Sequence, residues 1–320
     1  MGRMHADEAE IDVPLVRRLV AAQFPQWAEL PVEPFPSSGT MNAVYRLGDH
    51  LSVRLPRLPG GVADIAKEQR WLPRLAPLLP VAVPEVLDAG APSADFPWPW
   101  SVSRWIAGAN PKEGGLTEPE ALAGDLAEFV GAMRRIGLPD GPAAYRAGPL
   151  AESDAATREA IGRLGGLIDQ AAATAVWEAA VRAPRWAGPP VWVHSDLMPG
   201  NLLVTEGRLA GVIDFATMGL GDPASDLIPA WNLLTPAARE VFRAALGADD
   251  ATWVRGRGRA LSMALIQLPY YLRTNPAIAA NARHVIDAVL ADAGTADART
   301  AGAGTAGAEP AGAISGEPLG

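Results

Sequence analysis

Three side chains in one short stretch have the types and spacing for phosphoryl transfer to a hydroxyl. His194-Ser195-Asp196-Leu197-Met198-Pro199-Gly200-Asn201 contains H-x-D-x-x-x-x-N, and Asp214 follows within Gly211-Val212-Ile213-Asp214-Phe215-Ala216. Such a transfer needs a carboxylate to orient the nucleophile and accept its proton. It also needs hard oxygen ligands for the metal ions that bridge a triphosphate. Asp196 fits the base, and Asn201 and Asp214 fit the ligands of a Mg²⁺ ion. Each residue alone has a plainer reading: a structural histidine at 194, turn residues at 196 and 201, a helix N-cap at 214. Their joint spacing between apolar runs is what favours the chemistry.

The elements that must position these residues are legible as patterns. Val191-Trp192-Val193 reads as a strand entering the loop, and 202–205 with 209–213 as a hairpin around Glu206-Gly207. Toward the N-terminus, a helix over 13–23 shares an apolar face through Val16, Leu19 and Val20. The turn-forming cluster Ser37-Ser38-Gly39-Thr40-Met41-Asn42 then leads into strands over 43–47 and 51–55. A helix over 62–75 is interrupted near Pro73, and a Pro- and Trp-rich stretch contains a strand-like run over 100–105. A hinge at 106–111 precedes helical segments at 118–136, 153–170, 173–182 and from Pro236 to about 292. Thr117 and Glu120 have the spacing of a capping box.

With these motifs in place, the chain resembles the kinase fold and, within it, the aminoglycoside and macrolide phosphotransferase family. The likeness is carried by His194-Ser195-Asp196 with Asn201, by Ile213-Asp214-Phe215, and by Gly221-Asp222-Pro223-Ala224-Ser225-Asp226-Leu227; weaker features extend it over 13–290. It implies an α+β, kinase-like two-lobe fold. A small antiparallel-sheet lobe over 1–105 would bind the nucleotide. A larger, mainly helical lobe over 106–292 would carry catalysis and the acceptor. The low-complexity stretch 293–320 has almost no large apolar group and reads as a disordered tail.

The resemblance also implies an ATP or GTP donor, with Mg²⁺, held under Ser38, Gly39, Thr40 and Asn42, whose small residues let backbone N–H groups approach phosphate. Arg54 stands where the family has a lysine, and Glu68 is its natural partner on the next helix. The base is expected against the backbone of 103–106, and His194 is expected to hold the loop by hydrogen bonds. The acceptor pocket would be built by the C-terminal helices. Acidic residues Asp222, Asp226, Glu240, Asp249 and Asp250 would suit a cationic aminoglycoside. Trp231, Trp253, Tyr270 and Tyr271 would suit a macrolide or another bulky alcohol, although Trp231 and Tyr270 read as core. Asp222 and Asp226 read as structural caps, with a salt bridge across the lobe as the other option.

The segment from Asp214 to Asp226 leaves no room for a regulatory activation loop, which points to a small-molecule kinase rather than a protein kinase. The leading reading is O-phosphorylation of an aminoglycoside or other antibiotic. A metabolic kinase of sugars, choline-like alcohols or homoserine is the alternative within the class. A catalytically silent nucleotide-binding scaffold is the alternative outside it.

Composition narrows the field further. The 320 residues are 49% hydrophobic with a net charge of −9, and a nucleic-acid binder needs a basic footprint instead. There is no cysteine, so thiol chemistry and disulfides are excluded, and the four histidines have no metal-site spacing. No signal peptide or apolar membrane-spanning run is visible, so the expected location is the cytoplasm and no membrane partner is expected.

Overall fold

The computed structural model describes residues 10–35 and 41–305, excluding the side chains of 296–305. Ser38, Gly39 and Thr40 of the expected phosphate loop lie outside the described residues.

The first helix, α1 (Val13–Gln23), begins where Asp12 accepts the Leu15 N–H at 2.8 Å. Its apolar face meets a five-stranded antiparallel sheet in the order β1 (Val32–Phe35), β2 (Asn42–Leu47), β3 (Leu51–Pro56), β5 (Trp100–Arg104), β4 (Val86–Gly90). Alternation along β3 sends Leu51, Val53 and Leu55 into the small core with Val16, Leu47 and Trp100. The same period of two sends Arg54 to the opposite face, toward α2 (Gly60–Leu75). Helix α2 continues through Pro73, and its Trp71, Leu72 and Leu75 join the larger core of the second lobe. The two lobes are thus tied by packing as well as by the hinge.

The second lobe contains α3 (Pro119–Arg134), α4 (Asp154–Arg163) and α5 (Gln170–Arg182), then β6 (Val191–Val193), the hairpin β7 (Leu202–Thr205) and β8 (Arg208–Val212), and β9 (Gly219–Gly221). It closes with α6 (Pro229–Asn232), α7 (Pro236–Leu246), α8 (Asp250–Tyr271) and α9 (Pro276–Thr305). Helix α8 runs through the middle of the lobe and packs against α4, α5 and α9. Gly258 permits that approach, since a Cβ there would stand 2.2 Å from the Ala180 Cβ.

Several local expectations change. Helix α3 starts at Pro119 behind Glu118, with no side-chain cap, because proline fits the first helical position and displaces the Thr117 capping box. Residues 153–170 hold a helix only to Arg163, and the next helix begins at Gln170 behind an Asp169 cap. Tyr270 is 60% exposed rather than core, while Trp231 is fully buried as expected. The low-complexity stretch does not begin as disordered chain at 293: α9 continues to Thr305, as an alanine-rich sequence favours, and Ala293 is still buried. Residues 306–320 lie outside the described residues.

One irregular segment matters for the site. Residues 142–148 run alongside β9 as a strap. Leu220 N–H donates to Pro142 O at 2.7 Å, Ala144 N–H to Leu220 O at 3.0 Å, and Asp222 N–H to Ala147 O at 3.0 Å. Gly219 lets the strap lie this close: a Cβ there would be 2.4 Å from Pro142 O and 2.6 Å from Ala144 N. Gly219→Ala is therefore expected to lower stability by about 1–3 kcal/mol through overpacking. Denaturant unfolding beside the wild type would measure it; an unchanged midpoint would mean that the strap is loose.

Candidate active site

Asp196 lies on the loop between β6 and β7, and the loop is held in an unusual shape. Ser195 has φ +65°, a left-handed conformation that costs a non-glycine residue about 1–3 kcal/mol. Asp226, fully buried, offsets this by accepting the His194 N–H at 2.8 Å and the Ser195 N–H at 2.7 Å, one on each carboxylate oxygen. Burial pushes the Asp226 carboxyl up to about 6, and the two N–H groups and Arg134 oppose it. Asp226 is therefore the clamp of the loop, a stronger role than the capping expected of it.

His194 is buried and bridges two segments. Its Nε2 donates to Ile213 O at 3.1 Å, and its Nδ1 accepts the Asp196 N–H at 3.3 Å. Both bonds require the neutral ring with the proton on Nε2. Burial pulls its pKa down to about 4, against the Asp214 charge and the Ile213 carbonyl. The ring also packs on Phe215, centroids 4.6 Å apart.

Asp196 is engaged on both carboxylate oxygens. Asn201 Nδ2 donates to Asp196 Oδ2 at 3.1 Å and to Asp196 O at 2.8 Å, and Arg146 Nη1 donates to Asp196 Oδ1 at 3.1 Å. Burial pushes the Asp196 carboxyl up, Arg146 opposes this, and the Asp214 charge adds to it. Asn110, just after the hinge, donates from Nδ2 to Gly200 O at 2.9 Å and Leu202 O at 2.8 Å, flanking Asn201. With its nitrogen committed to Asp196, the Asn201 amide offers Oδ1 to a ligand. Asp214 follows β8 in a left-handed conformation, φ +63°, and its side chain is 40% exposed. An amide oxygen and a carboxylate are a donor set that suits Mg²⁺, which takes one or two protein oxygens and completes its shell with phosphate and water.

Arg54 draws three segments together. Its Nη1 donates to Glu68 Oε2 at 2.5 Å and its Nη2 to Asp214 Oδ1 at 3.1 Å. The donor pattern turns the Asn42 amide oxygen toward Arg54, where it accepts from Nε at 3.1 Å and Nη2 at 2.8 Å. Burial acts to lower the Arg54 pKa, and the Glu68 and Asp214 carboxylates more than reverse it, so the guanidinium stays charged. Glu68 Oε1 meanwhile accepts the Phe215 N–H at 2.8 Å. Asn42, expected at the phosphates, is buried beneath Arg54. Lys67, the lysine nearest in sequence, donates to Ala216 O at 2.8 Å.

The structure thus brings Asn42, Arg54, Glu68, Asp196, Asn201 and Asp214 close together. Sequence reasoning missed Arg146 and Asn110. Both lie in irregular chain with no periodicity to flag them, and Asn110 was read only as part of the hinge. It also missed Asp64 on α2, whose carboxyl is pushed up by burial and by the charge of Asp214. The carboxylates expected to serve a cation are largely engaged. Arg255 forks Asp222 at 2.8 and 3.1 Å, Asp249 caps α8, and Asp250 pairs with Arg243.

A small antiparallel-sheet lobe above a mainly helical one, with two carboxylates and an amide between them, defines a kinase-like protein. Residues 32–261 match the phosphotransferase enzyme family, and the chain belongs to that family, whose members are enzymes of the kinase type. A stretch of 78 residues is 38% identical to an aminoglycoside 3'-phosphotransferase of Escherichia coli, spanning 23% of this chain and 29% of that protein. The fold is similar to the GDP and kanamycin complex of APH(2")-IIIa, with TM-score 0.69 and 20% identity over 87% of this chain and 98% of that one. It is also similar to macrolide 2'-phosphotransferase MphH from Brachybacterium faecium, with TM-score 0.58 and 22% identity over 86% and 97% of the two chains. No helix among the described residues is long and apolar enough to cross a membrane.

Two outcomes follow for the loop. Asp226→Asn keeps one acceptor oxygen and turns an NH₂ toward the other backbone N–H. It should cost about 1–3 kcal/mol of stability and also lower turnover, as checked by melting and by phosphotransfer assay. His194 has a folded pKa of about 4 against 6.5 unfolded, so its contribution is present above pH 6.5 and is lost as pH falls toward 4. Asp226 works in the opposite sense, its folded pKa being raised. His194→Asn should therefore flatten the loss of melting temperature between pH 6.5 and 4; an acid limb identical to the wild type would remove His194 as its cause.

Proposed function

We propose that this protein transfers the γ-phosphoryl group of ATP or GTP to a hydroxyl of a small molecule, with antibiotics as the first acceptors to test. The observation that carries this reading is the joint placement of Asp196, Asn201 and Asp214, with Arg54 and Glu68 locked to the same point.

In this reading the acceptor hydroxyl lies against the Asp196 carboxylate, which orients it and takes its proton as the hydroxyl oxygen bonds to the γ-phosphorus and the bond from that phosphorus to the β–γ bridging oxygen breaks, releasing the nucleoside diphosphate. Asn201 Oδ1 and Asp214 would hold Mg²⁺, which supplies charge neutralisation on the phosphates. Arg54 has five side-chain N–H groups. Four are committed to Asn42, Glu68 and Asp214, which leaves one on Nη1 for a phosphate oxygen. Arg54 thus acts mainly by fixing Asp214 and by its charge. The loop of Ser38, Gly39 and Thr40 is proposed to cover the phosphates. At the hinge, the Arg104 and Trp105 N–H groups already donate to Glu85 O and His50 O at 2.9 and 2.8 Å. The base is therefore assigned to the backbone of 106–108, one step beyond the stretch that the sequence suggested.

The holding of Asp196 by Asn201 and Arg146 counts against a silent scaffold, because nucleotide binding alone needs no oriented base. A metabolic alcohol remains the other acceptor class. The test is incubation with MgATP or MgGTP and a panel of aminoglycosides, macrolides and simple metabolic alcohols, with products read by mass spectrometry. Asp196→Ala and Asp214→Ala should each lower turnover by about 100-fold or more. A product formed equally well by both variants would place the chemistry elsewhere.

A further inference from the structure

Arg146 is the residue of the cleft that no expected role accounts for. It sits on the strap beside β9, and the strap is rigid where it matters. Tyr145 N–H donates to Thr217 O at 3.0 Å, Ser225 Oγ to Arg146 O at 3.3 Å, and Arg259 Nη2 to Gly148 O at 2.6 Å. Backbone bonds on both sides of residue 146 therefore fix where its side chain starts. The guanidinium is 36% exposed, reaches Asp196 Oδ1 at 3.1 Å, and lies 5.2 Å from the Tyr145 ring centroid. Tyr145 itself is 72% exposed, although large aromatic rings are usually covered. An aromatic face and a cation thus stand together beside the base.

The guanidinium is also underused. It has five side-chain N–H groups, and among the described residues one of them makes a hydrogen bond, to Asp196. The fork geometry of arginine suits oxygen acceptors, and its charge repels an ammonium group. Away from Arg146, the small crevice beside Met198 carries no charged side chain. It is lined by Ile228, Asn232, Met263, Gln267 and Val285. Asn232 Oδ1 there is buried without a hydrogen-bond partner. The carboxylates Asp222, Asp226, Asp249 and Asp250 are engaged by arginine or backbone groups.

We infer that Arg146 is the specificity-determining residue for the acceptor. Before binding it holds Asp196 in place. With the acceptor bound, its unused N–H groups take oxygens that flank the reacting hydroxyl, and the Tyr145 face covers the adjoining ring. The site therefore selects alcohols whose hydroxyl is flanked by hydrogen-bond-accepting oxygens and disfavours those flanked by ammonium groups. This rests on the phosphotransferase reading above and narrows its substrate class.

A matched pair of ligands tests it: kanamycin, and kanamycin acetylated on all its amines, which keeps the hydroxyls and turns each ammonium into a neutral acetamide with an acceptor oxygen. Binding to the full chain is measured by calorimetry with MgADP or MgGDP present, and transfer is measured by mass spectrometry with the triphosphate. The acetylated form should bind the wild type at least tenfold more tightly. Arg146→Gln should shrink that ratio to about threefold or less, and Arg146→Lys should restore part of it. A purely structural role would weaken both ligands alike and leave the ratio unchanged, which would overturn the inference. Tighter binding of kanamycin itself to the wild type would also overturn it. In that case phosphotransfer to kanamycin would leave the proposed function standing. A protein that binds neither MgATP nor MgGTP would instead remove the proposed function, and this inference with it.

Discussion

The candidate active site depends on one buried carboxylate. Asp226 accepts two successive backbone N–H groups, and only a loop bent at Ser195 presents both to it. Burying a carboxylate is expensive, as its raised pKa shows, and two charge-assisted hydrogen bonds return much of that cost. The bend then sets the direction of Asp196. Removing the carboxylate would leave two buried donors unpaired and the strained residue unsupported.

From this clamp the geometry passes to the Asp214 side through neutral polar contacts. His194 joins the start of the Asp196 loop to Ile213, one residue before Asp214. Asn201 O accepts the Ile213 N–H at 2.9 Å, giving a second tie between the same segments. A neutral histidine suits this place, because it has one donor for the Ile213 carbonyl and one acceptor for the Asp196 N–H, and burial disfavours its charged form. Asp196 and Asp214 are close enough for the charge of one to raise the pKa of the other. Arg54 on one side and Arg146 on the other offset that repulsion.

Arg54 shows how one arginine can keep a site assembled. A lysine has three donors on one nitrogen, whereas the arginine fork contacts Asn42, Glu68 and Asp214 together. Glu68 in turn holds the Phe215 N–H, so the sheet of the first lobe is coupled directly to the loop after β8. The shared packing of Trp71, Leu72 and Leu75 adds an apolar tie to the polar one. The two lobes therefore meet with the donor side of the cleft already organised.

The sequence alone determined much of this. The spacing of His194, Asp196, Asn201 and Asp214 marked the chemistry, because a loop and a hairpin of fixed length leave little freedom in where those side chains go. Alternating apolar residues gave β2 and β3, and the same period put Arg54 on the face opposite the core, within reach of Glu68 on α2. Local competition between neighbours was less legible: Pro119 displaced the Thr117 cap, and Tyr270 fell on an exposed face of α8. Tertiary structure alone decided the contacts between distant segments. Asp226 as clamp, Asn110 as brace and Arg146 on the base join residues 31, 90 and 50 positions apart or more, through irregular chain. No periodicity encodes such contacts, because they depend on where β9, the strap and α8 come to rest when the core closes.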